Sequence, residues 1–443
     1  MSISAVIILL STLCRVGKAD WQFLCPDLSP PKLNITVPAT PGAVESGYIF
    51  ITPNPGFDDD NEHYGPQQPG AYIFRDDGDL VWSGVGYFAG WFANFRPGEW
   101  TRTYSYGKQQ QQQQVLWAFE GQLDARHGRM YGKHMILNER YETIKTVGTA
   151  SHRLASCHEF NVLDGGESVL IETPVAIPAD LSPWGGDEGQ NWIVSKLDIE
   201  TGELLFEWYS FDHVDPKYSL FPLSPEGPFN GRDSTNAWNY FHINSVDKDP
   251  DGNYLISARN YAAIFKINGT TGDIIWQLGG GHGSNFTVPA DVRFAFQHDA
   301  RLLSRSEDGT IERISFFDNA AGVGSELRIS PFSRARIVEL NHSDGTVTEV
   351  RTFPAPDGLS AGSQGNAQVL PNGNVFVNWG QAGAVTEFDG DDGTVLFHAY
   401  LDSEPGGKLV QSYRGFRFNW TGRPSEEPAK PLSRSGKEPK EGG

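Results

Sequence analysis

The stretch His242-Ile-Asn-Ser-Val, Asp251-Gly252, Tyr254-Leu-Ile-Ser, Ala263-Ile-Phe-Lys-Ile, Thr271-Gly272, Asp273-Ile-Ile-Trp276 decides the fold. Four short apolar runs, each of strand length and rich in Ile, Val and aromatic residues, are joined by turn dipeptides. Asp-Gly supplies the positive φ that a two-residue hairpin needs, so the segment reads as a four-stranded meander. The same order recurs on either side. Upstream, His158-Glu-Phe-Asn-Val-Leu is followed by Asp164-Gly165, a run from Ser168 to Thr173, Trp192-Ile-Val-Ser-Lys-Leu-Asp, Thr201-Gly202 and Leu204 to Trp208. Downstream stand His298-Asp-Ala-Arg-Leu-Leu with Asp308-Gly309 and Asp344-Gly345, then Gly365-Asn-Ala-Gln-Val-Leu with Asn372-Gly373 and Asp392-Gly393. One meander cannot bury both of its faces, and radial stacking of such units gives a β-propeller. Tyr72 to Trp82 reads as the end of an earlier blade and Val115 to Val147 as part of another. The expectation is an all-β chain forming a single propeller of six four-stranded blades.

Composition agrees. The 443 residues contain 50 Gly, 28 Pro, 12% aromatic and 20% charged residues, a turn-rich globular profile rather than a disordered chain or a helical bundle. Thirty-five basic against 55 acidic side chains give a net charge of −20, which repels phosphate backbones and anionic lipid, so no nucleic-acid partner is expected.

The ends differ from the body. Ile3 to Cys14 is apolar, and small residues precede Asp20, the pattern of a cleaved secretory signal over residues 1–19, with an uncleaved anchor as the alternative. Five sequons, Asn34, Asn268, Asn285, Asn341 and Asn419, fit passage through a secretory lumen as N-glycosylation sites. Cleavage leaves Cys25 and Cys157, an even pair able to form a disulfide in an oxidising compartment, or else two buried thiols. A secreted or lumenal protein without stable membrane association is expected. Residues 20–47 form a Pro-rich lead, 48–423 the propeller and 424–443 a disordered polar tail. Gln109 to Gln114 reads as a disordered surface loop.

The first strand of each blade lines a propeller's channel, so residues in register at its start converge near the axis. The repeats place His158, His242, His298 and Gly365 in one such column and Asn161, Ser245, Arg301 and Gln368 in a second, three residues on. Side chains alternate along a strand, so both columns point inward only if the strand starts between them or is bent there. Three convergent histidines suit acid–base or nucleophilic chemistry, a three-His metal site, or plain hydrogen bonding to neighbouring backbone. Asp299 is expected in solvent or an inter-blade salt bridge. Gly279-Gly-Gly-His-Gly283 lacks phosphate-loop spacing, and Asp58-Asp-Asp-Asn-Glu-His63 reads as a solvated loop or a calcium ligand set. No Gly-x-Ser-x-Gly, His-Glu-x-x-His or Cys-x-x-Cys motif occurs.

His242-Ile-Asn-Ser, Asp-Gly-Asn-Tyr-Leu-Ile-Ser-Ala-Arg-Asn260, Ile274-Ile-Trp-Gln-Leu-Gly-Gly280, Phe296-Gln-His-Asp-Ala-Arg301, Phe317-Asp-Asn319, Ser333-Arg-Ala335 and Asn374-Val-Phe-Val with Trp-Gly380 together resemble the fungal branch of the arylsulfotransferase family. The resemblance spans about Tyr48 to Pro424 and implies a six-bladed propeller. It also implies transfer of a sulfuryl group from an aryl sulfate to a phenolic acceptor, with no nucleotide donor and no cofactor. By motif, His242 and His298 match histidines that contact the sulfuryl group, and Arg334 or Arg328 supplies a cationic partner. The bacterial reaction passes through a histidine in the last part of the propeller. Here Gln364 to Phe388 contains none and Thr386 stands in that place, so His158 is the obvious substitute nucleophile. The candidate site is thus His158, His242, His298, Arg301, Arg334 and Thr386. Two further readings of the scaffold are acid–base chemistry on aromatic metabolites, such as cyclisation or isomerisation, and ligand binding without catalysis.

Overall fold

Six antiparallel sheets stand in a ring in the computed structural model of the chain. The structure describes residues 29–424 except 57–64, 86, 89, 105–108, 185, 225, 228, 323–326 and 404–409. The expected signal segment, Cys25, the acidic run Asp58–His63 and the tail beyond residue 424 therefore lie outside the described residues.

From the axis outward, blade 3 contains Phe160–Leu163, Ser168–Leu181, Gly186–Asp198 and Leu204–Tyr209. Blade 4 contains Ile243–Lys248, Tyr254–Ala258, Ala263–Ile267 and Ile274–Gly279; blade 5 contains His298–Arg305, Ile311–Asp318, Arg334–Asn341 and Thr346–Pro354. Blade 6 runs Asn366–Val369, Val375–Asn378, Ala384–Phe388 and Val395–Leu401. Blade 2 is built from Trp91–Tyr104, Gln109–Asp124, Arg129–Leu137 and Thr143–Val147. Blade 1 closes the ring: Tyr48–Ile51, Tyr72–Phe74 and Leu80–Ser83 are joined on the axis side by the C-terminal strand Phe416–Phe418. Part of the lead is also structural, since Leu33–Val37 pairs with Val395–Leu401 as a fifth, outermost strand of blade 6.

Each gap between neighbouring blades is filled by its own apolar cluster. Trp208 and Phe265 meet between blades 3 and 4, Trp276 and Phe316 between 4 and 5, Phe353 and Trp379 between 5 and 6. The remaining three gaps are filled in the same way. This burial of both faces of every blade is what a lone meander lacks.

Two sequence expectations are corrected. Gln109 to Gln114 is strand, not loop: these residues pair with Glu99 to Tyr104, because paired backbone satisfies its own hydrogen bonds whatever the side chain. The Asp251-Gly252 and Asn372-Gly373 hairpins are longer than two residues. Gly252 N–H donates to Asp249 O and Gly373 N–H to Leu370 O, with positive φ (89° and 92°) at the glycine alone, a type I turn followed by a left-handed glycine. The repeat extends to a second glycine: Gly269 and Gly390 press against the carbonyls of Gly252 and Gly373, leaving no room for a Cβ.

Candidate functional site

Backbone bends aim the inner-strand side chains. His242, Asp299 and Gln364 hold positive φ (61°, 56° and 66°), a conformation costing a non-glycine residue about 1–2 kcal/mol. The pairing of His298–Arg305 slips between His298 and Arg301, with Asp299 in the bulge. That bend removes the alternation problem, and both His298 and Arg301 reach charged or aromatic groups from other blades near the axis.

His158, His242 and His298 are buried and come together. The rings of His158 and His242 lie 4.8 Å apart at 86°, and Tyr413 stands edge-on to His158 at 5.5 Å and to His298 at 6.4 Å. Arg259 joins them from the turn Arg259–Tyr261 of blade 4, its N–H donating to His242 O. Its guanidinium donates to Asn260 Oδ1 (2.7 Å) and Gly362 O (3.0 Å) and lies over the Phe296 ring; among the described residues it makes no ion pair.

Hydrogen bonds define the imidazoles. His298 Nδ1 faces two acceptors, Asn319 Oδ1 (2.7 Å) and Phe296 O (3.0 Å), so it carries the proton; Nε2 accepts from Gln364 N–H at 3.2 Å. Asn319 is fixed in turn by donating to Ala361 O and Gln364 O. His242 Nδ1 accepts from Asn239 Nδ2 at 2.8 Å, which leaves the proton on Nε2. His158 Nδ1 is 2.6 Å from Ser156 Oγ and 3.4 Å from Glu172 Oε1. Burial, reinforced by Arg259 and the neighbouring imidazoles, pushes His242 and His298 well below the usual histidine range, so both are neutral at pH 7. Burial lowers Arg259 to about 10, still charged, and raises the Tyr413 phenol, which stays protonated.

Several buried polar atoms here lack a hydrogen-bond partner among the described residues: Glu172 Oε1 and Oε2 and the Tyr413 hydroxyl. Such atoms are costly unless something meets them, and they mark where polar atoms of a bound molecule fit. The Asp124–Arg129 hairpin covers the site. His127 bonds Asp124 and Asn236, Arg129 donates to Ala237 O, and a Cβ at Gly128 would lie 3.7 Å from the His242 ring.

Further along the axis is an ionic layer. Glu159, wholly buried, meets Arg301 Nη2 at 2.7 Å and Arg414 Nη1 at 3.1 Å, and accepts from Val246 N–H. Burial pushes its carboxyl up, but Arg301 and Arg414 win and hold it at about 2. Asp299 bonds Arg301 twice and approaches Arg414 at 3.4 Å, the inter-blade pairing expected of it. Arg301 therefore belongs to this layer rather than to the histidine cluster.

Three residues carried over by motif are not with the histidines. Arg334 pairs with Asp318 on the third strand of blade 5, and Arg328 donates to Pro331 O and Ser360 Oγ in an exposed loop. Thr386 lies two strands out from the axis of blade 6, its hydroxyl held between Trp379 Nε1 and His398 Nδ1, each at 2.7 Å. The cation that does reach the histidines, Arg259, sits in the quoted run ending at Asn260, and Asn319 ends the Phe-Asp-Asn run. Glu172 and Tyr413 carry no sequence signal, because only folding brings them to His158. Among the described residues no group of three or more His, Cys, Asp or Glu is arranged to hold a metal, and His298 has both nitrogens committed. Cys157 is a buried thiol beside Met130, its partner in the expected disulfide lying outside the described residues. Asn34, Asn285 and Asn419 are exposed, and Asn268 and Asn341 partly so.

The sequence model of the family described as Arylsulfotransferase (ASST) matches residues 109–400. No curated protein matches. Among solved structures, a Bacteroides caccae protein of unknown function aligns at TM-score 0.41 and 12% identity, covering 84% of this chain and 98% of that one. Kuenenia stuttgartiensis hydrazine synthase aligns at TM-score 0.33 and 10% identity, covering 74% of this chain and 73% of that one.

Proposed function

The chain belongs to the arylsulfotransferase family, and on that basis we propose that it is a secreted, nucleotide-independent aryl sulfotransferase of the fungal branch, with His158 as nucleophile. The observation that carries this reading is the convergence of three histidines and a guanidinium that makes no ion pair among the described residues, with the buried Glu172 carboxylate 3.4 Å from His158.

His158 turns Nδ1 to Glu172 and Ser156, the orientation by which a carboxylate fixes the tautomer of a reactive imidazole and stabilises its cation. In the proposed reaction Nε2 attacks the sulfur of the aryl sulfate as the bond from sulfur to the aryl oxygen breaks. Phenolate leaves, and the sulfonated ring carries a positive charge offset by its own SO3 group and by Glu172. An acceptor phenolate then attacks the same sulfur, the nitrogen–sulfur bond breaks, and His158 returns to its neutral form. Charge balances at each step without a metal or nucleotide. Arg259 and the Tyr413 hydroxyl are the donors for the phenolate oxygen, and the Nε2–H of His242 faces sulfuryl oxygen. Burial of the site makes these donors stronger than they would be in water.

The test is release of 4-nitrophenol from 4-nitrophenyl sulfate, with and without added phenol, for the secreted protein and for His158→Ala and His298→Ala. Acceptor-stimulated release lost in both variants is expected. Release indifferent to acceptor would mean hydrolysis, and none from the folded wild type would overturn the assignment in favour of other chemistry or of binding.

A further inference from the structure

We propose that the channel has a second binding site, for a single-ring monoanion, at the mouth opposite the histidines. A cavity of about 200 Å³ opens between the inner strands of blades 5, 6 and 1. From His298 to Leu303, on its rim, the inner strand advances roughly 15 Å, and the ionic layer lies between.

One wall is cationic. Arg96, Arg301 and Arg414 line it together with a single carboxylate, Asp299. Asp299 and Glu159 are engaged by Arg301 and Arg414, and Asp247 nearby accepts from Leu302 N–H and Asn161. Arg96 has none of these: among the described residues it makes no ion pair, and its contacts are Phe160 O at 3.3 Å and the Phe416 ring at 5.3 Å. Two further groups lining the cavity are buried without a hydrogen-bond partner among the described residues, Ser315 Oγ and Arg414 Nε. A guanidinium without an ion pair and an orphaned hydroxyl lining one cavity fit an oxyanion, whose charge-assisted bonds offset the desolvation both groups have already undergone.

The other wall is apolar: Phe416 and Phe418, with Leu303 and Val369 partly exposed at the rim. The volume is below the roughly 300–1,000 Å³ of drug-sized pockets, which limits the body of the ligand to one ring. The shared chemistry is an oxyanion on an aromatic ring, whether carboxylate or sulfate ester.

Calorimetric titration of the full chain with benzoate, phenyl sulfate and inorganic sulfate tests this, the phenyl sulfate arm being run in His298→Ala. Saturable binding of at least one ring-bearing anion is expected, weakened at least tenfold by Arg96→Gln and by Val369→Trp, a rim substitution that leaves the core intact, and unchanged for benzoate in His298→Ala. The relative affinities of benzoate and phenyl sulfate identify the oxyanion. Inorganic sulfate binding as tightly as either, binding indifferent to both rim variants, or no saturable binding would overturn the proposal. Absence of aryl sulfate turnover leaves this binding test standing.

Discussion

In the proposed reaction Glu172 acts through a single contact. Its carboxylate is fully buried, with Oε1 3.4 Å from His158 Nδ1, and in that reaction it acts through the ring. Glu172→Gln should lower kcat for 4-nitrophenyl sulfate by on the order of 10²–10⁴ with KM little changed, by analogy with removing the carboxylate of a serine-protease triad. A fall confined to KM, or none, would return Glu172 to a structural role. His398 gives a stability prediction. Burial pushes it down to about 4, so it is neutral in the fold while the unfolded side chain protonates near 6.5. The unfolded state therefore binds the extra proton, and stability falls as pH drops from about 6.5 toward 4 by up to about 1.4 kcal/mol per unit. His398→Asn should flatten the wild-type decline between pH 6.5 and 5 by close to one proton, measured by urea unfolding; an unchanged slope would refute the assignment. At this scale the sequence was legible only in part. The three histidines could be aligned because repeats put them in register, and Arg259 lay inside a motif already singled out. Arg334 and Thr386 were misplaced because short motifs say nothing of how many strands separate a residue from the axis.

Strands and turns were more legible than side chains, and their errors have physical causes. Alternating apolar runs and Asp-Gly or Asn-Gly pairs located blades 3 to 6, since a meander needs both. The Gln tract misled because glutamine has no strong preference of its own, whereas the pairing with Glu99 to Tyr104 does. The bulge at Asp299 left no mark in the residue types, yet it turns His298 and Arg301 to the axis. Two hairpins of blade 4 touch through glycine, with Gly269 against the carbonyl of Gly252. Gly269→Ala should cost about 1–3 kcal/mol by forcing these turns apart, while Gly373→Ala, in open space but at positive φ, should cost about 1–2. A Gly269→Ala loss no larger than about 1 kcal/mol in urea melts would contradict the crowding argument.

At the scale of the molecule, closure places the last pieces of the site. The strand Phe416–Phe418 enters blade 1 from the C-terminal end and brings Tyr413 and Arg414 to the axis just before it, while Leu33–Val37 seals the edge of blade 6. The ring thus takes the site's residues from both halves of the chain, which is why a six-bladed propeller could be read from repeats while Tyr413 could not. In the proposed reaction this ring holds His158 as the nucleophile. Rapid quenching of the protein with 4-nitrophenyl sulfate in the absence of acceptor, followed by peptide mass analysis under conditions that preserve nitrogen–sulfur bonds, tests it most directly. One added SO3 is expected on the peptide carrying His158, absent in His158→Ala and discharged on adding phenol; an adduct on another residue, or turnover with no adduct, would overturn the assignment.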